Sequence, residues 1–503
     1  MKNIKILSTS DIHGTLSTYS YIDQSIKPQG LSRYSNVVKK NRERYECIVV
    51  DNGDSLQGSP LLTYAHRVKV KPHPLALAFN NIKLDYFNLG NHDFNYGEEI
   101  LLNYIQDLNA KCLTTNVLYK DKPIGQTQIH MSNDGYKIAL IGLCTDYIPH
   151  WEKPEHIKNF TFLSPVETLK NELKNLPKVE YTIVYYHGGF ERDLETCKPT
   201  EVLTGENVGY ELSLIPGIDC LITGHQHRSI ASTLNSIPVM QCALNATEYM
   251  ECEIELPSKS TQIKLVSMSE TEFDPHIEEI IKPYDDKTQI WLDQKLGRIE
   301  GYDLTIHDPF DARLNKHPYV SFINFIQKEV TQADICGTAL FNQALGLKSE
   351  ISYRDLVNNY VYPNSLVVKE MDGKTLRLYL EQCADYFTIK DGKISVNPMF
   401  DEPKPQHFNY DMLDGIDYTL KISNPVGQRV TSLTFNGKEV EDNQVFTVAM
   451  NNYRASGGGN FHMIPPCKTL LEIQRDMTDI LAEYILDKKI VTMTHHDNIK
   501  VIL

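Results

Sequence analysis

The 503-residue chain carries ten cysteines but no C-x-x-C pair. A zinc knuckle is therefore not expected. Several of the cysteines sit inside apolar, strand-like runs, such as Cys144 in IALIGLC and Cys220 in DCLITG, and read as buried thiols rather than a disulfide framework. No run of 18 apolar residues occurs, which argues against a membrane-spanning helix and a membrane partner. The N-terminal stretch MKNIKILSTSDIHG has no apolar segment of signal-peptide length, and its first strand begins almost at Met1, so a cytoplasmic protein is expected. Positive charge is also in short supply. Lys and Arg number 50 against 65 Asp and Glu, a formal net charge of −15, which argues against polymeric nucleic acid as a partner. A small anionic substrate stays open, because bound cations can dominate a local field. Nothing in the sequence demands more than a monomer.

The length is too great for one core, so two or three domains are expected. In the first half, apolar runs (IKILSTS, CIVVDNG, YFNLGN, CLTTNV, KIALIGLC, TIVYYHGG, CLITGHQH) alternate with amphipathic stretches such as LSRYSNVVKKNRERY and GEEILLNYIQDLNA. Strand–helix alternation of this kind predicts a layered α/β domain, here 1–275. Residues 275–300 read as helical with Pro283 breaking the pattern, giving a linker helix over 276–309. The remainder, 310–503, starts with the helix YVSFINFIQKEV and continues through LRLYLEQCADYF to a strand pair, RVTSLTFNGKEV and NQVFTVAMNNY. It reads as a mixed α+β domain.

Most apolar runs of the first half end in Asp, His, Asn or Gly, and ligand sites in α/β folds lie at the carboxyl ends of strands. In chain order these ends supply Asp11 and His13 (SDIHG), Asp54 (DNGDSLQGSP), Asn91 and His92 (GNHD), His187 (YYHGG), and His225 and His227 (GHQH). Each piece alone has an ordinary explanation: a lone histidine beside a strand is usually structural, and N-H-D between glycines is a good turn. The D-x-H and H-x-H spacings place two side chains on one side of an extended segment. Two Asp, one Asn and four His make a donor set for borderline divalent ions, with Asp54 suited to bridge two of them. The chemistry implied is hydrolysis of a phosphate ester by a metal-activated water attacking in line.

The ordered set D-x-H, G-D, G-N-H-D, H-G-G and G-H-x-H resembles the signature of the calcineurin-like metallophosphoesterases. The whole chain resembles the 5′-nucleotidase family, which joins that metal domain to a C-terminal nucleotide-recognition domain. VDNGDSLQGSPL, GNHDFNYG, YPNSL, FNYDMLDGIDY, LTFNGK and NNYRASGGGNF are most similar to its 2′,3′-cyclic-nucleotide 2′-phosphodiesterase/3′-nucleotidase branch. The resemblance implies a four-layer α/β/β/α sandwich followed by an α+β substrate domain. It implies two divalent ions (Mn, Zn, Fe or Mg): one held by Asp11, His13, Asp54 and His227, the other by Asp54, Asn91, His187 and His225. His92 matches the family histidine that contacts phosphate. Asn95 stands where many 5′-nucleotidases carry the carboxylate that orients that histidine; an amide can accept a hydrogen bond but cannot stabilise an imidazolium as Asp would. Asp93 reads as local support. In the C-terminal domain the family stacks a base between two rings, which match Tyr453 and either Phe408 or Tyr410. Gly457 and Gly458 would leave room beside a ligand, and Asn342 falls in the substrate-contacting loop, where the G-G-I-R arginine motif of typical 5′-nucleotidases is absent. The implied substrate is a nucleotide or cyclic nucleotide. The alternatives are a 5′-nucleotidase, a nucleotide-sugar or other organic phosphate hydrolase, or a non-catalytic nucleotide-binding protein. Members of the family are usually exported, in tension with the cytoplasmic expectation.

Overall fold

The computed structural model describes residues 3–21, 24–200, 203–362, 364–402, 404–473 and 475–503. The chain divides into two compact units, Met1–Thr288 and Gln289–Leu503.

The first unit is built on two six-stranded sheets. One has the spatial order Ser260–Ser267, Glu248–Glu255, Asn3–Thr9, Glu46–Asp51, Tyr86–Phe87, Lys111–Cys112; its last four strands run parallel. The other has the order Ile230–Leu234, Ile237–Gln241, Cys220–Thr223, Tyr181–His187, Lys137–Cys144, Gln128–Met131, with the four central strands parallel. Alternate residues of both sheets point at each other: Ile4, Ile6, Ile48, Val50, Met250 and Ile254 from one meet Ile138, Leu140, Ile183, Tyr185 and Ile222 from the other, all essentially inaccessible to solvent. The opposite face of the second sheet (Ile141, Leu143, Val184, Leu221) buries against Val166 and Leu169 of the helix Pro165–Asn175. The first sheet is covered by Leu31–Arg42, whose Tyr34 hydroxyl donates to the Leu7 carbonyl at 2.8 Å. Strands buried on both faces read as near-continuous apolar runs, which is why these were visible in the sequence. The layering is the expected α/β/β/α sandwich.

The second unit centres on a five-stranded sheet, Asp411–Asp414, Ile335–Ala339, Val445–Asn451, Leu366–Asp372, Lys468–Ile473, with the helix Pro318–Thr331 against it. A four-stranded sheet, Lys438–Glu439, Val430–Phe435, Asp417–Lys421, Ile499–Ile502, completes the mixed architecture.

Three local expectations need correction. The helix Pro275–Leu292 runs through Pro283 without stopping. Pro283 and Glu279 both lie on its exposed side, where the carbonyl left without a donor can turn to water. Beyond it Lys295–Glu300 is a strand, paired with Glu350–Ser352 and Ile490–Thr492; a bulge between Lys295 and Gly297 hides its alternation. The segments 430–435 and 445–451 do not pair with each other. Asn436 and Gly437, at φ 51° and 75°, instead turn the first back into its own hairpin, Phe435 opposite Lys438.

All ten cysteines are free thiols, six of them buried. Among the described residues, no helix is long and apolar enough to cross a membrane.

Candidate active site

The parallel strands of the first unit end at one edge, and their C-terminal loops bring seven polar side chains together. Five of these residues leave their strands in the left-handed region: Asp11 (φ 54°), His13 (47°), Asp54 (55°), His225 (70°) and His227 (57°). Such conformations cost about 1–3 kcal/mol each in non-glycine residues and persist where the surroundings over-determine them. Close approach needs Gly90: a Cβ there would lie 2.2 Å from Asp54 Oδ1 and 2.7 Å from His187 Cε1.

Two groups result. In one, Asp11, His13 and His227 offer ligand atoms within reach of a common point; in the other, Asp54, His187 and His225 do the same. His13 Nε2 lies 3.1 Å from His227 Nε2, which is 3.4 Å from Asp11 Oδ1. His187 Nε2 is 3.2 Å from Asp54 Oδ2 and 3.9 Å from Asp11 Oδ1. Asn91 joins the second group through Oδ1, 2.8 Å from His225 Nδ1. Asp11, Asp54 and His187 are wholly buried.

The hydrogen bonds on the far side of each ring say which nitrogen faces inward. His13 Nδ1 meets the Gln57 carbonyl at 3.0 Å and His187 Nδ1 the Asn52 carbonyl at 2.6 Å, so both present a lone pair at Nε2. His225 is turned the other way, with Nε2 on the Glu206 carboxylate at 2.9 Å and Nδ1 inward. The orientations follow from the network. They leave His187 Nε2 facing Asp54 Oδ2 and His225 Nδ1 facing Asn91 Oδ1, acceptor against acceptor. Asp54 Oδ2 and His187 Nε2 are buried without a hydrogen-bond partner. Such an arrangement calls for a cation between the donors. Burial alone would lower the His187 imidazole; Asp54 and Asp11 outweigh it and raise it to about 10. Burial likewise pushes the Asp11 carboxyl up, and His187 and His227 overcome it and hold it below the usual range. The spot takes positive charge, as a proton or as a metal ion, and the nitrogen–oxygen donor set fits borderline divalent ions.

His92 sits beside this centre. Its backbone N–H donates to Asp54 Oδ1 at 2.7 Å, and its ring centroid is 5.6 Å from that of His13. Its Nδ1 meets Asn95 Oδ1 at 2.7 Å. Asp93 turns away from the centre: Oδ2 accepts from the N–H of Asp54 and Gly90, and Oδ1 from those of Ser55 and Leu56. It fastens the loop carrying Asp54 to the turn carrying Asn91 and His92.

In the second unit Phe408 and Tyr453 are brought together, with ring centroids 6.2 Å apart, but their planes cross at 71°. A base between two rings needs them parallel and about 7 Å apart, so one ring must turn to make that sandwich. Tyr410 is not available for it. Its ring is wholly buried, stacked 4.9 Å from Tyr386 at 13°, because the strand starting at Asp411 points it into the core. The space a Cβ would fill at Gly458 is taken by the Tyr453 ring, 2.5 Å away, and Gly457 adopts φ 94°. Asn342 is exposed and donates from Nδ2 to the Pro405 carbonyl at 2.8 Å, holding its loop to the segment before Phe408.

Residues 4–229 match the family model of the calcineurin-like phosphoesterases, and 296–465 that of the 5′-nucleotidase C-terminal domain. The crystal structure of a Staphylococcus aureus protein assigned to the 5′-nucleotidases, in complex with alpha-ketoglutarate, is 34% identical over the whole of both chains, with a TM-score of 0.93. The chain belongs to the 5′-nucleotidase family of calcineurin-like metallophosphoesterases. As a family member it is a metal-dependent phosphoester hydrolase working with two divalent ions, and the two groups of donors above are the candidates to hold them. Another relative, the 2′,3′-cyclic-nucleotide 2′-phosphodiesterase/3′-nucleotidase of Salmonella typhimurium, is 27% identical over 91% of this chain and 82% of its own. A 5′-nucleotidase precursor from Thermus thermophilus, 16% identical over 99% of both chains with a TM-score of 0.71, shares the fold.

Sequence reasoning missed three residues beside this candidate site. Glu206 backs His225, Glu152 backs Asn95 (2.5 Å), and the Trp151 ring lies 5.6 Å from that of His225 at 25°. Tyr362, 6.3 Å from Phe408, was missed in the second unit. Glu206, Glu152 and Trp151 come from loops with no local pattern beyond the i, i+4 spacing of Glu152 and His156, whereas Tyr362 opens YPNSL, a stretch that itself carries the resemblance.

Proposed function

We propose that the chain hydrolyses nucleotide phosphate esters, acting as a 2′,3′-cyclic-nucleotide phosphodiesterase and 3′-nucleotidase. The observation that carries this reading is the pairing of His92 with an amide, Asn95, beside a centre of seven converging donors, in a chain whose relatives include enzymes of that name. Asp11, His13, Asp54 and His227 would hold one ion, and Asp54, Asn91, His187 and His225 the other. When bound, the ions supply charge stabilisation at the phosphoryl oxygens and an activated water. The carbonyls of Gln57 and Asn52 and the carboxylate of Glu206 fix the inward nitrogens of His13, His187 and His225. His92, held by the Asn95 oxygen at Nδ1, presents an Nε2 lone pair to the phosphate side, where it can take up a proton and, as the imidazolium, hand it to the departing oxygen of the ester. Phe408 and Tyr453 would receive the base, contributing roughly 1–3 kcal/mol by stacking and tolerating any base. The net charge of −15 supports a mononucleotide over polymeric nucleic acid, and ten thiols support a reducing, cytoplasmic setting.

A 5′-nucleotidase activity is the second reading, favoured by the assignment of the 34% identical Staphylococcus aureus relative. Phosphate release by the manganese-loaded protein separates the two. It should be offered 2′,3′-cyclic AMP, 3′-AMP, 5′-AMP and bis(p-nitrophenyl) phosphate, with Asp54→Ala as control. Turnover of the cyclic and 3′ substrates, lost in the variant, is the expected result. A preference for 5′-AMP selects the second reading, and no turnover of any substrate rejects both.

A further inference from the structure

We propose that Glu152 is a positioning residue for His92, acting through the side-chain amide of Asn95. This rests on the reading of His92 as the phosphate-side residue and goes beyond it. The Glu152 carboxylate is buried, its side chain 6% exposed. Oε2 accepts from Asn95 Nδ2 at 2.5 Å, while Oε1 accepts from the Lys153 backbone N–H at 2.8 Å and meets His156 Nδ1 at 2.9 Å. Asn95 Oδ1 in turn meets His92 Nδ1 at 2.7 Å. The three side chains thus form one line, carboxylate to amide to imidazole.

An asparagine at position 95 is ambiguous where an aspartate is not. Either end of the amide could face the ring. With oxygen toward it, His92 carries its hydrogen on Nδ1 and presents a lone pair at Nε2. With nitrogen toward it, the tautomer reverses and Nε2 carries the hydrogen. A carboxylate only accepts, so Glu152 admits the NH₂ end alone and turns the oxygen to His92. The orienting role is here divided between an amide that touches the ring and a carboxylate behind it. The backbone N–H of Lys153 and the His156 ring hold Glu152 in place, so the arrangement does not depend on a mobile surface side chain.

The test uses the full chain loaded with manganese, bis(p-nitrophenyl) phosphate as probe, and five variants: His92→Ala, Glu152→Leu, Glu152→Gln, Asn95→Asp, and Asn95→Asp with Glu152→Gln. Glu152→Leu should lower kcat by about 10- to 100-fold with KM within twofold, short of the roughly 10⁴-fold that a wrong tautomer can cost. Glu152→Gln should lose less, since its carbonyl can still accept from Asn95. Asn95→Asp alone sets two carboxylates against each other and should lose at least as much as Glu152→Leu. In the paired variant the Gln amide donates to the new Asp, and activity should return to within about tenfold of the parent. A residue that merely supports the fold gives no such rescue. A second readout is independent of turnover: in zinc-loaded, ¹⁵N-histidine-labelled protein, the His92 signals, identified by their loss in His92→Ala, should report hydrogen on Nδ1 in the parent and in the paired variant, but a changed distribution in Glu152→Leu. If His92→Ala loses activity while Glu152→Leu keeps kcat within twofold, or if the paired variant is only as active as the two single losses multiplied, the inference fails and the reading of His92 stands. If His92→Ala retains activity, both fall. Should Glu152→Leu not fold, the Gln and paired variants decide.

Discussion

Replacing Arg454 by methionine should unfold the second unit at much lower urea. The guanidinium, on a side chain 2% exposed, lies against the Asp411 carboxylate, 3% exposed, with Nε 2.5 Å from Oδ2 and Nη2 3.3 Å from Oδ1. It also donates to the carbonyls of Phe408, at 3.1 Å, and Gly458, and sits 3.8 Å from the Phe461 ring centroid. Arg454 therefore fastens together the two segments that carry the Phe408 and Tyr453 rings. Methionine preserves much of the stem packing but strands the Asp411 charge with the Tyr379 hydroxyl, 2.6 Å away. Removing one partner of a buried pair costs about 3–5 kcal/mol. With an m-value of about 2–3 kcal/mol/M, the midpoint falls by about 1–2 M. The chain's two tryptophans divide between the units, Trp151 in the first and Trp291 in the second. In a Trp151→Phe background the remaining indole, 4.7 Å from the Tyr353 ring, reports the second unit by its fluorescence. Adding Asp411→Asn removes the stranded charge while keeping an acceptor for Tyr379, so the double variant should be about 2 kcal/mol more stable than the sum of the single losses. A midpoint shift below about 0.3 M, or strict additivity, would refute the reasoning.

Gly458→Ala forces a Cβ into the Tyr453 ring, and should raise KM for a nucleotide by about 5- to 150-fold while leaving kcat for bis(p-nitrophenyl) phosphate unchanged; equal effects on both substrates would count against a base-binding role. Chelating both metals should destabilise the first unit by about 5 kcal/mol, about 3 for each site, relative to metal held at about 100 times its Kd, and leave the second unit unmoved. Trp151, beside His225, reports that change in a Trp291→Phe background. Acid should act on the His66–His73 pair, whose Nε2 atoms lie 2.9 Å apart in the core. Burial holds His66 well below the ordinary 6.5 and His73 at about 4, so the unfolded chain takes up protons below about 6.5 that the folded chain refuses until about 4. Stability is thus full above pH 6.5 and falls toward pH 4, by about 3 kcal/mol for His73 alone; urea titrations of His73→Gln should show a correspondingly shallower slope, and an unchanged slope would contradict the assignment.

What could be read from the sequence and what could not divide along one physical line. Asp11, His13, Asp54, Asn91, His187, His225 and His227 announce themselves because each stands at the end of an apolar run. A parallel sheet gathers such ends at one edge wherever the strands fall in order. The layered fold was legible for the same reason. Tyr410 and Phe408, two residues apart, could not be told apart by pattern, and only the strand beginning at Asp411 puts one in the core and leaves the other half-buried. The strands at 430 and 445 read as partners because they are neighbours in sequence, whereas the first closes a hairpin on Lys438–Glu439 and pairs with Asp417–Lys421, and the second pairs with the distant Ile335–Ala339 and Leu366–Asp372. Around the candidate metal donors the local sequence is likewise silent. Nothing near GHQH marks Glu206, and nothing near GNHDFNYG marks Glu152, since each reaches its partner from a separate loop. Yet these residues choose which nitrogen of His225 faces inward and which end of Asn95 faces His92. Local sequence thus names the chemistry available at a strand end, while the tautomer and orientation in which that chemistry is offered are set by residues that only the folded chain brings near.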